Sequence, residues 1–260
     1  MVSVNQAIKG EIRELIRTKL ISKVEKYKPE SEHKPFFAAI FSEDKILTAS
    51  LVHSFYTTFG MSIYEQLTMM LANAANYHVE KQYKLEGDID LRTSQLIDEM
   101  WELDKSNGSV DKLDELQKIR DSIYPARQVQ VQNDSVVDIF LRKPNGEEYY
   151  IDIKTVKPNK GEFEYHKRKL LRWAGYRYSV NKDANVSTFL AIPYNPFHPQ
   201  SYTKKMWGKV KCMDGSNDLL VQEDFWNLVG GSQSTYNELI TIFEDVGSEL
   251  SDVINSKFKK

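Results

Sequence analysis

The chain has 260 residues, enough to bury a core without disulfides or a structural metal. With 41% hydrophobic and 28% charged residues it reads as soluble and globular rather than disordered. One cysteine, Cys212, excludes an intramolecular disulfide and a Cys-rich zinc site, and a net charge of −2 excludes a uniformly basic nucleic-acid binder but not a local basic patch. The first residues, MVSVNQAIKGEIRELIRTKL, carry charges throughout and lack the apolar core of a signal peptide. No run of about 18 apolar residues occurs, so no membrane span is expected, and the reducing cytoplasm is the expected compartment.

Residues 3–26 are expected to form an amphipathic helix, because Val4, Ile8, Ile12, Ile16 and Leu20 recur at a four-residue step. Lys28 to Pro35 breaks it, and Phe36 to Ile40 is a short apolar piece. Residues 46–58 and 62–84 read as two helices. Ser62, with Glu65 three residues on, has capping-box spacing. Residues 92–103 and 110–122 are further helices, with Asn107-Gly108 as the turn between them. From Pro125 the texture changes: Val129, Val131, Val136, Val137, Ile139 and Leu141 alternate with polar residues. A turn at Pro144-Asn145-Gly146-Glu147 and a second alternating run, Tyr149 to Val156, complete a β-hairpin. Residues 160–179 return to helical spacing, 187–193 read as a buried strand, and 194–217 read as loop. Two helices are expected at the end, around Glu223 to Val229 and Thr235 to Phe258, separated by Gly230-Gly231.

The chemistry concentrates in the hairpin. Asp138 lies on the first strand; Asp152, Ile153 and Lys154 lie on the second. Alternation along a strand turns Asp152 and Lys154 to the same face, and pairing across the turn brings Asp138 opposite them. Two carboxylates with a backbone carbonyl, such as that of Ile153, make a hard oxygen site suited to Mg²⁺. Such an ion neutralises charge on a phosphate and acidifies water, and a lysine beside it can orient the attacking water. A surface ion pair on a solvated strand is the simpler alternative. The strongly apolar flanks argue against it, because charges among central strands are costly.

A basic stretch follows, from Lys154 to Lys182, with Lys157, Lys160, Lys167, Arg168, Lys169, Arg172 and Arg177 interleaved with Tyr165, Trp173, Tyr176 and Tyr178. It suits a groove tracking a phosphate backbone, or a solvated helix face. Residues 98–115, with seven carboxylates and two lysines, read as a solvated face away from nucleic acid. Arg127, Gln128 and Gln130 have the side chains shaped for reading bases, and the loop around Asn195 with the nearby Lys204 is a candidate recognition element. The five histidines show no paired metal spacing, and no Walker A or G-x-S-x-G motif occurs.

The Asp138…Asp152-Ile153-Lys154 pattern resembles the PD-(D/E)XK nuclease superfamily, with Val137 where proline often precedes the first aspartate. Three blocks extend the likeness to type II restriction endonucleases of the TdeIII type: His53 to Glu65, Asp152 to Asn159, and Ala191 to Phe197, with a further segment at Glu223-Asp224-Phe225-Trp226. The resemblance implies an α/β restriction-endonuclease-like core over residues 1–260, a mixed central sheet flanked by helices. A helical N-terminal part (about 1–124), a catalytic hairpin and core (about 125–200) and a helical C-terminal part (about 201–260) would make it up. It also implies Mg²⁺-dependent cleavage of double-stranded DNA at a short palindrome, with GGNCC as a candidate, leaving 5′-phosphate and 3′-hydroxyl ends. Asp138 and Asp152 would be metal ligands and Lys154 would position the water. Glu65 would supply a further catalytic carboxylate, or else only cap its helix. Lys157, Lys160, Lys167, Arg168, Arg127, Asn195 and Lys204 would contact DNA. A homodimer is expected from the symmetry of a palindrome, and a cognate methyltransferase would act on the same site. A repair nuclease of the same superfamily and a non-catalytic DNA-binding module remain as alternatives.

Overall fold

The computed structural model describes residues 4–28, 34–124, 134–154 and 157–256. Helix α1 (Gln6–Lys26) starts where the Asn5 side chain accepts from the Ile8 N–H, and it buries Ile12 and Ile16 completely, as the four-residue step requires. A single turn, α2 (Pro35–Ala38), precedes α3 (Glu43–Thr58). The chain then passes through a π-helical turn, Phe59–Ile63, straight into α4 (Tyr64–Ala74). Ser62 therefore caps no helix; its hydroxyl donates back to the Thr58 carbonyl at 3.4 Å, and the capping-box reading of Glu65 falls away.

Strand β1 (His78–Lys84) replaces the expected C-terminal half of that helix. It pairs antiparallel with β2 (Val136–Arg142), which pairs antiparallel with β3 (Glu148–Ile153). Between β1 and β2 come α5 (Leu91–Asn107) and α6 (Lys112–Ser122), capped by the Asp90 and Asp111 side chains. Gly108, at φ +65°, ends α5 in the left-handed conformation glycine tolerates. Residues 125–133, among them Arg127, Gln128 and Gln130, lie outside the described residues. Helix α7 (Lys160–Val180) crosses from β3 to the parallel strand β4 (Val186–Ile192), and α8 (Tyr202–Val210) leads to β5 (Leu219–Val221), parallel again. Helices α9 (Glu223–Gly230), α10 (Thr235–Glu249) and α11 (Ser251–Ser256) follow. Both α8 and β5 fall in or beside the stretch expected to be loop.

The result is a mixed sheet in the order β1-β2-β3-β4-β5 with a core on each face. One core packs Phe140 and Tyr150 against α5 to α8; the other packs Ile139, Ile151 and Ile153 against α1, α4, α9 and α10. The α/β class and helix-flanked mixed sheet follow the expectation.

The acid-rich stretch is solvated in part: Glu99, Glu102, Asp111 and Asp114 are exposed, whereas Asp104 and Glu115 are buried. Lys112 and Lys167, both buried, grip the two oxygens of buried Asp218 at 2.7 Å each, and Lys167 also meets Glu115 at 2.6 Å and Asp104 at 3.6 Å. This ion cluster ties α5 and α6 to α7 and to the approach to β5. Burial pushes Glu115 up to about 8 against the pull of Lys167, and Glu115 and Asp104 share a hydrogen bond. The aromatic residues expected along a DNA groove, Trp173, Tyr176 and Tyr178, are core side chains of α7.

Candidate active site

The hairpin brings its carboxylates together. Ile139 pairs with Ile151, so the next step along the ladder sets Asp138 across from Asp152. The Ile153 N–H donates to Asp138 Oδ2 at 2.9 Å, and the two carboxyl groups share a hydrogen bond. Burial, then the neighbouring Asp152, raises Asp138 to about 6. Burial would also raise Asp152, but His166, the hydrogen bond from Asp138 and Lys169 carry it well below the usual carboxylate range. The Lys169 ammonium of α7 and, below about pH 6, a proton on Asp138 thus offset the negative charge of the pair. Hard oxygen donors at the end of a hairpin, held close despite their repulsion, fit a small divalent cation. No group of three or more His, Cys, Asp or Glu side chains among the described residues forms a ready metal cage. Two carboxylates with water and phosphate oxygens completing the shell is the usual manner of Mg²⁺.

Lys154 follows the last residue of β3. Its N–H still donates to the Ala191 carbonyl at 2.9 Å, so its backbone is held in the parallel ladder, and the residue is half-buried. Glu65 lies in the first turn of α4, where burial raises its carboxyl and Lys81 of β1 opposes the rise.

Three residues at the site were given no role there by the sequence. Gln82 sits opposite Asp138 in a break of the β1–β2 register, at φ +50°, and donates from Nε2 to Asp138 Oδ1 at 3.4 Å. A non-glycine residue in that conformation is strained, and such strain gathers at functional sites. His166 and Lys169 of α7 reach Asp152 Oδ2 at 2.7 and 3.3 Å. Their spacing was legible, since residues three apart share a helix face. Their partner, on a strand end, was not.

The expected DNA contacts divide. Lys157 is exposed with its ammonium 5.0 Å over the Phe197 ring. Lys204 is exposed in the first turn of α8, and Lys160 is exposed beside Glu164 at 3.5 Å. Lys167 is enclosed by the ion cluster, so it has no reach to a phosphate. Arg168 is bidentate on Asp98 at 2.6 and 2.7 Å, its fork already filled. Asn195 braces its own loop, donating to the Gln200 carbonyl at 2.8 Å and accepting from the Phe197 N–H. Burial corrects the role expected for Lys167, whereas Arg168 and Asn195 are partly exposed and engaged within the chain. A large apolar hollow between Tyr27, Phe37, Phe41 and His53 carries no carboxylate and is no part of the site.

Residues 3–247 match the family described as Type II restriction endonuclease, HinfI. The chain belongs to the HinfI family of type II restriction endonucleases. The match runs through the hairpin, α7 and the β4 loop alike, and the HinfI-family enzyme is therefore a DNA-cleaving hydrolase; the TdeIII type, expected from three blocks, is not the family matched. The type II restriction enzymes HgiEI and HgiCII of Herpetosiphon aurantiacus are each 26% identical to it, over 226 and 231 residues, covering 86% of this chain and 81% of each relative. The type II restriction enzyme MjaII of Methanocaldococcus jannaschii is 24% identical over 227 residues, covering 82% of this chain and 60% of the relative. No helix among the described residues of the HinfI-family enzyme is long and apolar enough to cross a membrane.

Proposed function

We propose that this enzyme hydrolyses double-stranded DNA at a short palindrome with Mg²⁺ held by Asp138 and Asp152 in the manner of the PD-(D/E)XK superfamily. The observation that carries the reading is the pairing of buried Asp152 with half-buried Asp138 across the hairpin, fixed by the bond from the Ile153 N–H to Asp138. The Ile153 carbonyl is the third protein ligand. When bound, the ion neutralises charge on the scissile phosphate and acidifies water. Lys154 orients the attacking water and stabilises the charge that gathers on phosphorus oxygens. Water adds to phosphorus, the P–O3′ bond breaks, and the proton passes to the departing oxygen, leaving a 5′-phosphate and a 3′-hydroxyl. Glu65 assists from α4 as a further carboxylate. Exposed Lys157, Lys160 and Lys204, with Arg127, contact the DNA.

A two-fold dimer is the simplest reader of a palindrome, and a methyltransferase acting on the same sequence would protect the host. GGNCC, the target attached to a TdeIII-type kinship, is the first site to try. The test is incubation with duplex DNA with and without Mg²⁺, followed by sequencing of the ends. Discrete fragments that require Mg²⁺ and vanish in Asp152→Ala and Lys154→Ala support the reading, provided both variants keep the parent's circular dichroism. Intact DNA under Mg²⁺ and Mn²⁺, or cutting that survives Asp152→Ala, overturns it.

A further inference from the structure

We infer that His166 of α7 is a positioning residue of the active site, holding Asp152 through Oδ2 so that Oδ1 stays turned to its ligand role. The inference rests on the proposed metal site and adds a residue to it. His166 Nδ1 lies 2.7 Å from Asp152 Oδ2, off the straight line of an ideal hydrogen bond, and Lys169 Nζ takes the same oxygen at 3.3 Å. Neither α7 contact falls on Oδ1. Two grips on one oxygen fix the carboxylate's rotation, and a fixed carboxylate loses less freedom when it binds an ion.

The rest of α7 separates this contact from ordinary scaffolding. Lys167 is anchored on Glu115 and Asp218, Arg168 on Asp98, and Arg177 on Glu148, all remote from the hairpin's carboxylate pair. His166 and Lys169, three apart on one face, instead turn to the strand end that carries Asp152. The start of α7 is fixed by a reciprocal cap in which the Asn159 side chain accepts from Glu162 N–H and the Glu162 side chain accepts from Asn159 N–H, at 3.0 and 2.6 Å. That cap sets the helix's rotation and so sets His166 against Asp152. His166 is 2% exposed, and a polar ring so enclosed needs a partner; among the described residues Asp152 lies within reach of Nδ1.

The experiment compares the parent with His166→Phe, which keeps a ring but no Nδ1, and His166→Asn, whose amide restores a donor near that position. Two readouts are taken: the Mg²⁺ concentration for half-maximal cleavage, and calorimetric titration of the DNA-free protein with Mg²⁺. His166→Phe should raise both Mg²⁺ midpoints by roughly 10–100-fold, as loss of an outer partner of a ligand does. His166→Asn should recover most of that. Circular dichroism establishes that each variant is folded, and the smaller His166→Leu replaces His166→Phe should the latter fail to fold. In an Asp152→Asn background, His166→Phe should have no further effect on Mg²⁺ binding. A folded His166→Phe that binds Mg²⁺ and cuts as the parent does overturns the inference, as does an equal loss in His166→Phe and His166→Asn. If Asp152→Asn alone leaves Mg²⁺ binding and cutting intact, the metal site itself is wrong, a failure distinct from the first.

Discussion

Asp138 accepts the N–H of Ile153 at 2.9 Å, so the residue between Asp152 and Lys154 holds the carboxylate of the opposite strand in place. The pairing forces two acids together, and Asp138 rises to about 6. Its folded value lies above its unfolded one, so the folded protein keeps a proton that the unfolded chain releases from about pH 4 upward. The stabilisation is complete at low pH and is lost as pH climbs through about 6. Asp152, held below its usual range, acts in the opposite sense at lower pH. Without metal, Asp138→Asn should therefore melt above the parent at pH 8 and gain only about half as much at pH 5, while cutting nothing. Thermal melts in a chelator across that range check it. An Asn variant less stable than the parent at pH 8 would mean that the carboxylates do not repel.

The same proton opposes metal binding. Below about pH 6 a Mg²⁺ ion must displace it from Asp138, so the Mg²⁺ midpoint for cleavage should rise up to about tenfold per pH unit in that range and flatten above it. Cleavage titrated with Mg²⁺ at pH 5, 6, 7 and 8 measures the slope, and a midpoint independent of pH would place the ion elsewhere.

Much of the frame was legible in the sequence because it rests on local rules. The hairpin showed in the alternation around Asn145-Gly146, and α7 and β4 showed in their changes of period. Strand β1 did not, because its exposed face carries His78, Glu80 and Lys84 and its alternation breaks at strained Gln82. The approach of Asp138 to Asp152 across the hairpin was legible for the same local reason. The roles along α7 were not. Lys167 and Arg168 look like any basic helix until Glu115, Asp218 and Asp98, all distant in sequence, are folded against them. Charge along a sequence marks a surface only where the fold supplies no counter-charge.

That distinction can be measured on DNA. Lys157 is exposed, whereas Arg168 is engaged by Asp98. Lys157→Ala should weaken DNA binding uniformly across sequences and reduce the slope of log K against log salt by about one. Arg168→Ala should leave that slope unchanged and lower the melting temperature instead. Binding is read in Ca²⁺ or without metal at several salt concentrations. A slope that changes for Arg168 and not for Lys157 would reverse the assignment.

The buried ion cluster sets a stability prediction. Lys167→Met removes the ammonium that Glu115 and Asp218 share and leaves Asp218 with the Lys112 ammonium and the Asp214 N–H. Breaking a buried pair from one side costs about 3–5 kcal/mol, because a charge stays behind without its partner. Replacing Lys167 and Glu115 together by apolar residues should cost less than Lys167→Met alone. Urea unfolding of the two variants gives the comparison, and equal losses would show that the cluster is not coupled.

Gly87, just ahead of α5, sits at φ +102° with its backbone pressed on α7. A Cβ there would run into the Tyr176 carbonyl oxygen and meet Ser179 Oγ at 2.5 Å. Gly146 in the hairpin turn also has a positive φ, +87°, but nothing lies within 4 Å of its would-be Cβ. The two glycines separate strain from collision. Gly146→Ala should cost only the backbone strain, about 1–3 kcal/mol. Gly87→Ala should cost that and the overpacking of α7, roughly 2–5 kcal/mol in all, since a backbone carbonyl cannot swing aside as a side chain can. Because α7 carries His166, any Gly87→Ala protein that still folds should also need more Mg²⁺ to cut, whereas folded Gly146→Ala should not. Denaturant midpoints and Mg²⁺ titrations on the same preparations test both halves, and an unchanged Mg²⁺ requirement in folded Gly87→Ala would uncouple the seating of α7 from the site.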